Sequence, residues 1–131
     1  MSSRSALNLP MRDRRAAERR GRRSEWLASL SLQAKGYQIL ARRARTPAGE
    51  IDLIARRGHL VAFIEVKARR TPALALEAVT VTAQRRIARA AELWMAKHPD
   101  LAGLDWRFDV IAICPGRWPL HARDAFRPEH A

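Results

Sequence analysis

Gly49-Glu50-Ile51-Asp52-Leu53-Ile54-Ala55-Arg56-Arg57-Gly58-His59-Leu60-Val61-Ala62-Phe63-Ile64-Glu65-Val66-Lys67 is the stretch on which the fold turns. Ile51, Leu53, Ile54 and Ala55 precede Gly58, and Leu60, Val61, Ala62, Phe63, Ile64 and Val66 follow His59. Both runs are short, apolar and rich in β-branched residues, which favours strand over helix. Gly58-His59 suits a two-residue hairpin turn, with the glycine supplying a positive φ. In that register Arg57 faces Leu60, Asp52 faces Glu65 and Glu50 faces Lys67. Opposed residues share a face with Cβ atoms about 5 Å apart. Period-two alternation groups Glu50 with Asp52 and Glu65 with Lys67. Four charged groups therefore meet at the open end of the hairpin. Opposed carboxylates repel. A hard divalent cation between them removes that cost, and Mg²⁺ is commonly held by one or two carboxylates plus phosphate oxygens. Lys67 is then placed to steady a phosphate or a nucleophilic water. The plainer reading of the same four side chains is a surface salt-bridge patch that needs no cation.

Gly49-Glu50-Ile51-Asp52-Leu53-Ile54 followed by Phe63-Ile64-Glu65-Val66-Lys67 resembles the motif of the PD-(D/E)XK nuclease superfamily, with Asp52, Glu65 and Lys67 as its D, E and K. From about Gly21 to the strand near Asp109 the chain is similar to the YraN family. These small, largely uncharacterised bacterial proteins share the fold of archaeal Holliday junction resolvases. The resemblance implies an α/β, restriction-endonuclease-like (resolvase-like) fold, with a mixed central sheet of four or five strands flanked by helices. It also implies a metal-dependent endonuclease using Mg²⁺, or Mn²⁺, on DNA that is branched or otherwise structured. Asp52 and Glu65 are then the principal metal ligands. Glu25, on the first helix, matches a glutamate that joins the metal site in such nucleases, and Glu50 assists directly or through water. Without the resemblance, Glu25 is an ordinary first-turn glutamate favoured by the helix dipole. Resolvase-like folds act as dimers, which makes a homodimer the expected assembly. Gln84 falls where related nucleases often carry a polar residue near the site; the usual residue is lysine, and the departure leaves the role of Gln84 open.

With 131 residues and 47% hydrophobic content, one domain with a single core is expected. The formal net charge is +12, and all but Lys35, Lys67 and Lys97 of the 25 basic residues are arginine. A polyanionic partner follows naturally, although a genome-wide preference for arginine produces the same bias. Arg42, Arg43, Arg45, Arg69 and Arg70 cluster around the hairpin and are expected to position a nucleic-acid backbone without reading bases. Arg85, Arg86 and Arg89 form a second candidate edge. No apolar run approaches the ~20 residues that a membrane span requires. The single cysteine, Cys114, sits in an apolar run and excludes an internal disulfide. A cytoplasmic protein with no membrane association is expected. A non-catalytic nucleic-acid-binding or protein-interaction module on the same fold is the competing function.

Along the chain, residues 1–20 read as a basic arm and 21–131 as the nuclease-like domain. Eight arginines lie in the first 23 residues, against Asp13 and Glu18. The first ten residues are expected to be disordered, and helix is plausible from Met11 with Gly21 as a weak spot. Ser24 to Lys35 predicts a helix whose apolar face is Leu27, Leu30 and Ala34, widened by Trp26 and Leu32. A strand over Tyr37 to Arg45 enters the hairpin. A helical turn at Ala73 to Ala78 and a helix from Ala83 to Lys97 capped by Thr82 follow. A strand opened by Phe108 and Asp109 then returns parallel to the sheet, with Asp109 as a hydrogen-bonded strand-end carboxylate. Trp118 to Phe126 is a candidate edge strand, and Arg127 to Ala131 should fray. Trp26, Trp94, Trp106 and Trp118 are expected in core and edge packing rather than as base-stacking platforms. None of the histidines shows metal-ligand spacing.

Overall fold

The computed structural model describes residues 11–128. The first ten residues, and residues 129–131 of the tail expected to fray, lie outside them. The elements run α1 (Met11–Ala34), β1 (Gln38–Thr46), β2 (Gly49–Arg57), β3 (Leu60–Ala68), α2 (Pro72–Glu77), α3 (Val81–Ala96), a 3₁₀ turn (Pro99–Leu101), β4 (Asp105–Ile113) and β5 (Leu120–Ala122). The sheet order is β1-β2-β3-β4-β5. Only β3 and β4 run parallel; the other neighbours are antiparallel. The α/β architecture with a mixed five-stranded sheet and flanking helices is therefore the expected one, and it is consistent with a nuclease-like fold. Short links give the antiparallel meander β1 to β3, whereas the parallel step needs α2 and α3 as its crossover.

Local chemistry sets the helix boundaries. Leu32 O accepts from Tyr37 N, and Gly36 at φ +88° ends α1. Two expected helices are in fact one, running through Gly21 without a break. Thr71 caps α2 through Leu74 N, with Pro72 in the first turn. Thr80, not Thr82, caps α3, its Oγ1 accepting from Ala83 N at 3.2 Å. Val81 and Thr82 are thereby drawn into the helix.

The sheet buries a different set on each side. Leu53, Ala55, Ala62, Ile64 and Ile111 pack under Ala28 and Leu32 of α1. Ile51, Ile54, Val61 and Phe63 pack under Ala90, Ala91, Trp94 and Met95 of α3. Phe63 meets Trp94 edge-on with ring centroids 6.3 Å apart and stacks on Phe108 at 5.6 Å. Truncating a ring so enclosed costs about 3–5 kcal/mol. The central strands are covered on both faces, which explains why the hairpin is apolar almost throughout. Cys114 is buried and free, as expected.

Three placements differ from the sequence expectation. Asp109 lies in the middle of β4, not at its start, because the strand begins four residues earlier with Asp105. Trp26 does not widen the core face of α1; it points outward, 59% exposed. Trp118 is exposed as well; Trp106, though 40% exposed, packs edge-on against Phe63 with ring centroids 5.5 Å apart, as expected, and of the four indoles Trp94 alone is buried.

Candidate active site

The hairpin register holds from Arg57↔Leu60 to Leu53↔Ile64 and stops there. The reason lies at Asp52. On the β1 side the pairing passes from Arg42↔Leu53 to Ala44↔Ile51 and skips Arg43 and Asp52. Ile51 and Ile54 are three residues apart yet share the α3-facing cluster, so strict alternation breaks between them. Arg43, across from this break, has φ +50°. Freed from the ladder, Asp52 turns its side chain to β3 and accepts from Val66 N at 2.8 Å. Asp52 and Glu65 thus meet, but through a kink rather than as directly opposed ladder partners.

Both carboxyl groups hold their protons more tightly than usual. Burial raises the pKa of Asp52 first; the Val66 N–H opposes it, the charge of Glu25 adds to it and Lys67 opposes it. Glu65 is pushed up to about 8, first by burial and then by Asp52, against Lys67, Arg86 and a backbone hydrogen bond at Asp52. Glu65 is only 5% exposed, and its Oε1 has no hydrogen-bond partner. A buried polar oxygen left unpaired is costly, and such groups are rare. Two adjacent carboxyl groups with raised proton affinity, beside a kink in the strand, are an arrangement found at functional sites.

The other acidic candidates are engaged. Glu25 accepts from Arg43 Nε at 2.7 Å, and Glu50 from Arg45 Nε at 3.1 Å. Glu50 therefore turns toward β1 and not toward Lys67, whose Cα partner is Ala112 on β4. Among the described residues no group of three or more His, Cys, Asp or Glu side chains is arranged to hold a metal ion. Asp52 and Glu65 make a pair.

The arginines divide into three sets. Arg42 donates to Ser29 Oγ at 3.3 Å, which ties β1 to α1. Arg86 comes from α3 and donates to Glu50 O at 3.3 Å. It passes so close to Gly49 that an added Cβ would lie 2.8 Å from its Nη1, and Gly49 also has φ +136°. The glycine opening the motif thus serves both the turn and the approach of Arg86. Arg85 is exposed on the same helix. Arg69 and Arg70 line a cavity of about 550 Å³ with Arg20, Arg23 and Cys114, on the α1 side. Gln84 donates to Val79 O at 3.1 Å and braces the start of α3.

A second charged cluster had no distinct sequence signal beyond the carboxylate itself. Asp109 is fully buried and accepts from Arg107 Nε at 2.8 Å, Arg107 Nη2 at 2.7 Å and Asp124 N at 2.9 Å. His121 Nε2 lies 2.7 Å from its Oδ2, and Lys35 Nζ lies 2.6 Å from His121 Nδ1. An ammonium can only donate, so with Lys35 charged Nδ1 accepts and Nε2–H points at Asp109. Burial opposes ionisation of Asp109, but His121, Arg107 and Asp124 N outweigh it and hold its pKa at about 2.

A family model described as "Uncharacterised protein family UPF0102" matches residues 24–113. A UPF0102 protein of Chelativorans sp. (strain BNC1) is 57% identical over 113 residues, covering 86% of this chain and 91% of its own. One from Mesorhizobium japonicum is 54% identical over 117 residues, covering 89% and 94%. One from Maricaulis maris is 54% identical over 117 residues, covering 89% and 92%.

Proposed function

This chain belongs to the uncharacterised protein family UPF0102, the YraN family, and from that premise we propose that it is a metal-dependent endonuclease acting on DNA, branched or otherwise structured. The observation that carries the reading is the buried Asp52–Glu65 pair with its unsatisfied Glu65 Oε1. An all-oxygen donor pair with raised proton affinity fits a hard divalent cation. Mg²⁺ accepts one or two protein carboxylates and takes its remaining ligands from water and phosphate. Asp52 and Glu65 would hold Mg²⁺ or Mn²⁺, with a main-chain carbonyl of Ile64 or Val66 as a further donor. Bound there, the cation supplies Lewis acidity, offsetting charge on the scissile phosphate and acidifying the attacking water.

The chain's own residues do the rest. The Val66 N–H holds one oxygen of Asp52 and so fixes the direction of the other. Lys67, two residues after Glu65 on β3, orients the water or offsets charge that develops on the phosphate. Arg86 and Arg85 on α3, with Arg45 and Arg42 on β1, offer guanidiniums to the DNA backbone. Arg69 and Arg70 serve a strand leaving past the ends of β3 and β4. Two copies related by a two-fold axis would suit a branched substrate with the same symmetry. Among the described residues no helix is long and apolar enough to cross a membrane, and a nuclease acting on the cell's DNA would work in the cytoplasm.

The test is cleavage of branched and linear DNA with Mg²⁺ or Mn²⁺, comparing wild type with Glu65→Ala and Lys67→Ala. Cleavage should require the cation and be lost in both variants. Calorimetric titration with Mn²⁺ should show binding to wild type and Lys67→Ala but not to Glu65→Ala. The engagement of Glu25 by Arg43 and of Glu50 by Arg45 favours a second reading, a nucleic-acid-binding module without catalysis. DNA binding with no Mn²⁺ uptake by any of the three proteins would establish that reading instead.

A further inference from the structure

We propose that Trp26 is a stacking platform for an unpaired nucleotide of the DNA strand that enters the Asp52–Glu65 site, so that the preferred substrate carries unpaired bases at the cut. The inference rests on the nuclease reading and narrows its substrate class. Trp26 follows Glu25 on α1 and is 59% exposed. The core face of that helix is already formed by Ala28 and Leu32, so the indole has no part in packing against the sheet. It lines a cavity of about 330 Å³ with Arg22, Glu25, Ser29, Arg42 and Arg43. Three guanidiniums against one carboxylate make this recess attractive to a polyanion. An exposed indole among arginines combines a π-face with phosphate donors, the pairing used for single-stranded nucleic acid.

Two further observations tie the recess to the carboxylates. Arg43 holds a left-handed backbone, φ +50°, that few non-glycine residues adopt, and this turn aims its Nε at Glu25. Arg43 also stands across the β1–β2 pair from Asp52, between Arg42↔Leu53 and Ala44↔Ile51. The recess and the site are therefore neighbours through Arg43. A continuous duplex offers phosphates and groove edges, but its base faces are occupied by their neighbours. The π-face of Trp26 can be used only by a base that has left the stack. Such bases occur at flaps, gaps and branch points.

The experiment measures anisotropy of a labelled oligothymidine and of a blunt duplex of equal length, at one fixed salt concentration. The proteins are wild type, Trp26→Ala and Trp26→Phe. Because Trp26 is exposed, the variants should keep the wild-type Tm, which is checked first. Trp26→Ala should weaken oligothymidine binding roughly ten- to hundredfold, the range that loss of one stacked base gives. Duplex binding should change by less than about twofold, and Trp26→Phe should retain most of the single-strand affinity. Oligothymidine should quench the intrinsic fluorescence of wild type, and that quenching should be lost in Trp26→Ala although Trp94, Trp106 and Trp118 remain. Equal loss on both probes, or no loss on either, overturns the proposal while leaving the nuclease reading standing. A wild-type dimer in sedimentation that Trp26→Ala dissociates assigns the indole to contact with a second copy and overturns it too. Failure to bind either probe overturns the proposal together with DNA as the substrate.

Discussion

Glu65 and Asp109 are buried carboxyl groups on adjacent parallel strands, and their environments are opposite. Asp109 is the Cα partner of Ile64 and so faces α1, whereas Glu65, one residue on, faces α3. Asp109 accepts from Arg107, His121 and the Asp124 N–H, and its pKa falls to about 2. Glu65 leaves one oxygen without a partner beside a second carboxyl, and its pKa rises to about 8. Burial penalises both; only the partners differ. Asp109 locks β4 to β5 and to the end of α1, through His121 and Lys35 and through Arg107, which donates to Tyr37 Oη at 2.6 Å. Glu65 leaves its Oε1 unpaired in the free chain, which is what the proposed role of holding a ligand would require.

The contrast is sharpest under truncation. Asp109→Ala strips a buried ion pair of its acid and leaves Arg107 uncompensated, which should cost about 3–5 kcal/mol in urea-induced unfolding. Glu65→Gln should do the reverse. In metal-free buffer near pH 8 it should leave stability unchanged or raise it by about 1–3 kcal/mol, since each pKa unit of perturbation is worth about 1.4 kcal/mol. A large loss in Glu65→Gln would show that its ionised form is already satisfied in the free protein, and the functional contrast with Asp109 would collapse.

The two groups also predict a pH profile. The folded state binds a proton at Glu65 more tightly than the unfolded state does. Between the ordinary value of 4.5 and about 8 the unfolded chain ionises first, so stability should fall as pH rises through that window. Asp109 has the opposite sign. Its contribution is complete above the ordinary 3.8 and should be lost as pH falls toward about 2. Thermal melts of wild type should therefore decline at both ends. Glu65→Gln should flatten the upper decline and leave the lower one intact. The smallest effect is expected at Glu50. Its pair with Arg45 is solvent-exposed, with side chains 48% and 86% accessible. Glu50→Gln should shift stability by at most about 1 kcal/mol. A larger loss would mean that Glu50 supports the kink at Asp52.

The hairpin was legible because its signals are local. A glycine turn between two apolar runs sets the register, and Leu53↔Ile64 obeys it. Extending that register to Asp52 and Glu50 went beyond what local rules allow. The break at Asp52 depends on Arg43 across the sheet and on Val66 N as an alternative partner, neither of which is near in sequence. The placement of Trp26 was unreadable for a similar reason. An aromatic residue beside an apolar stripe faces the core or solvent according to how the helix rolls on the sheet, and Ala28 and Leu32 set that roll. Nothing in the spacing of His121 and Asp109 marks them as partners, since β5 must first fold back onto β4.

By itself the sequence determined the order of the strands, the meander and parallel return, and the basic surface. Each follows from periodicity, turn chemistry or composition, which act over a few residues. Tertiary structure alone decided which charges are satisfied. Arg43 and Arg45 occupy Glu25 and Glu50, Arg107 and His121 occupy Asp109, and Glu65 retains a free buried oxygen. The physical reason is that desolvation and hydrogen bonding at a buried charge depend on groups brought together from distant segments, and no local pattern encodes them.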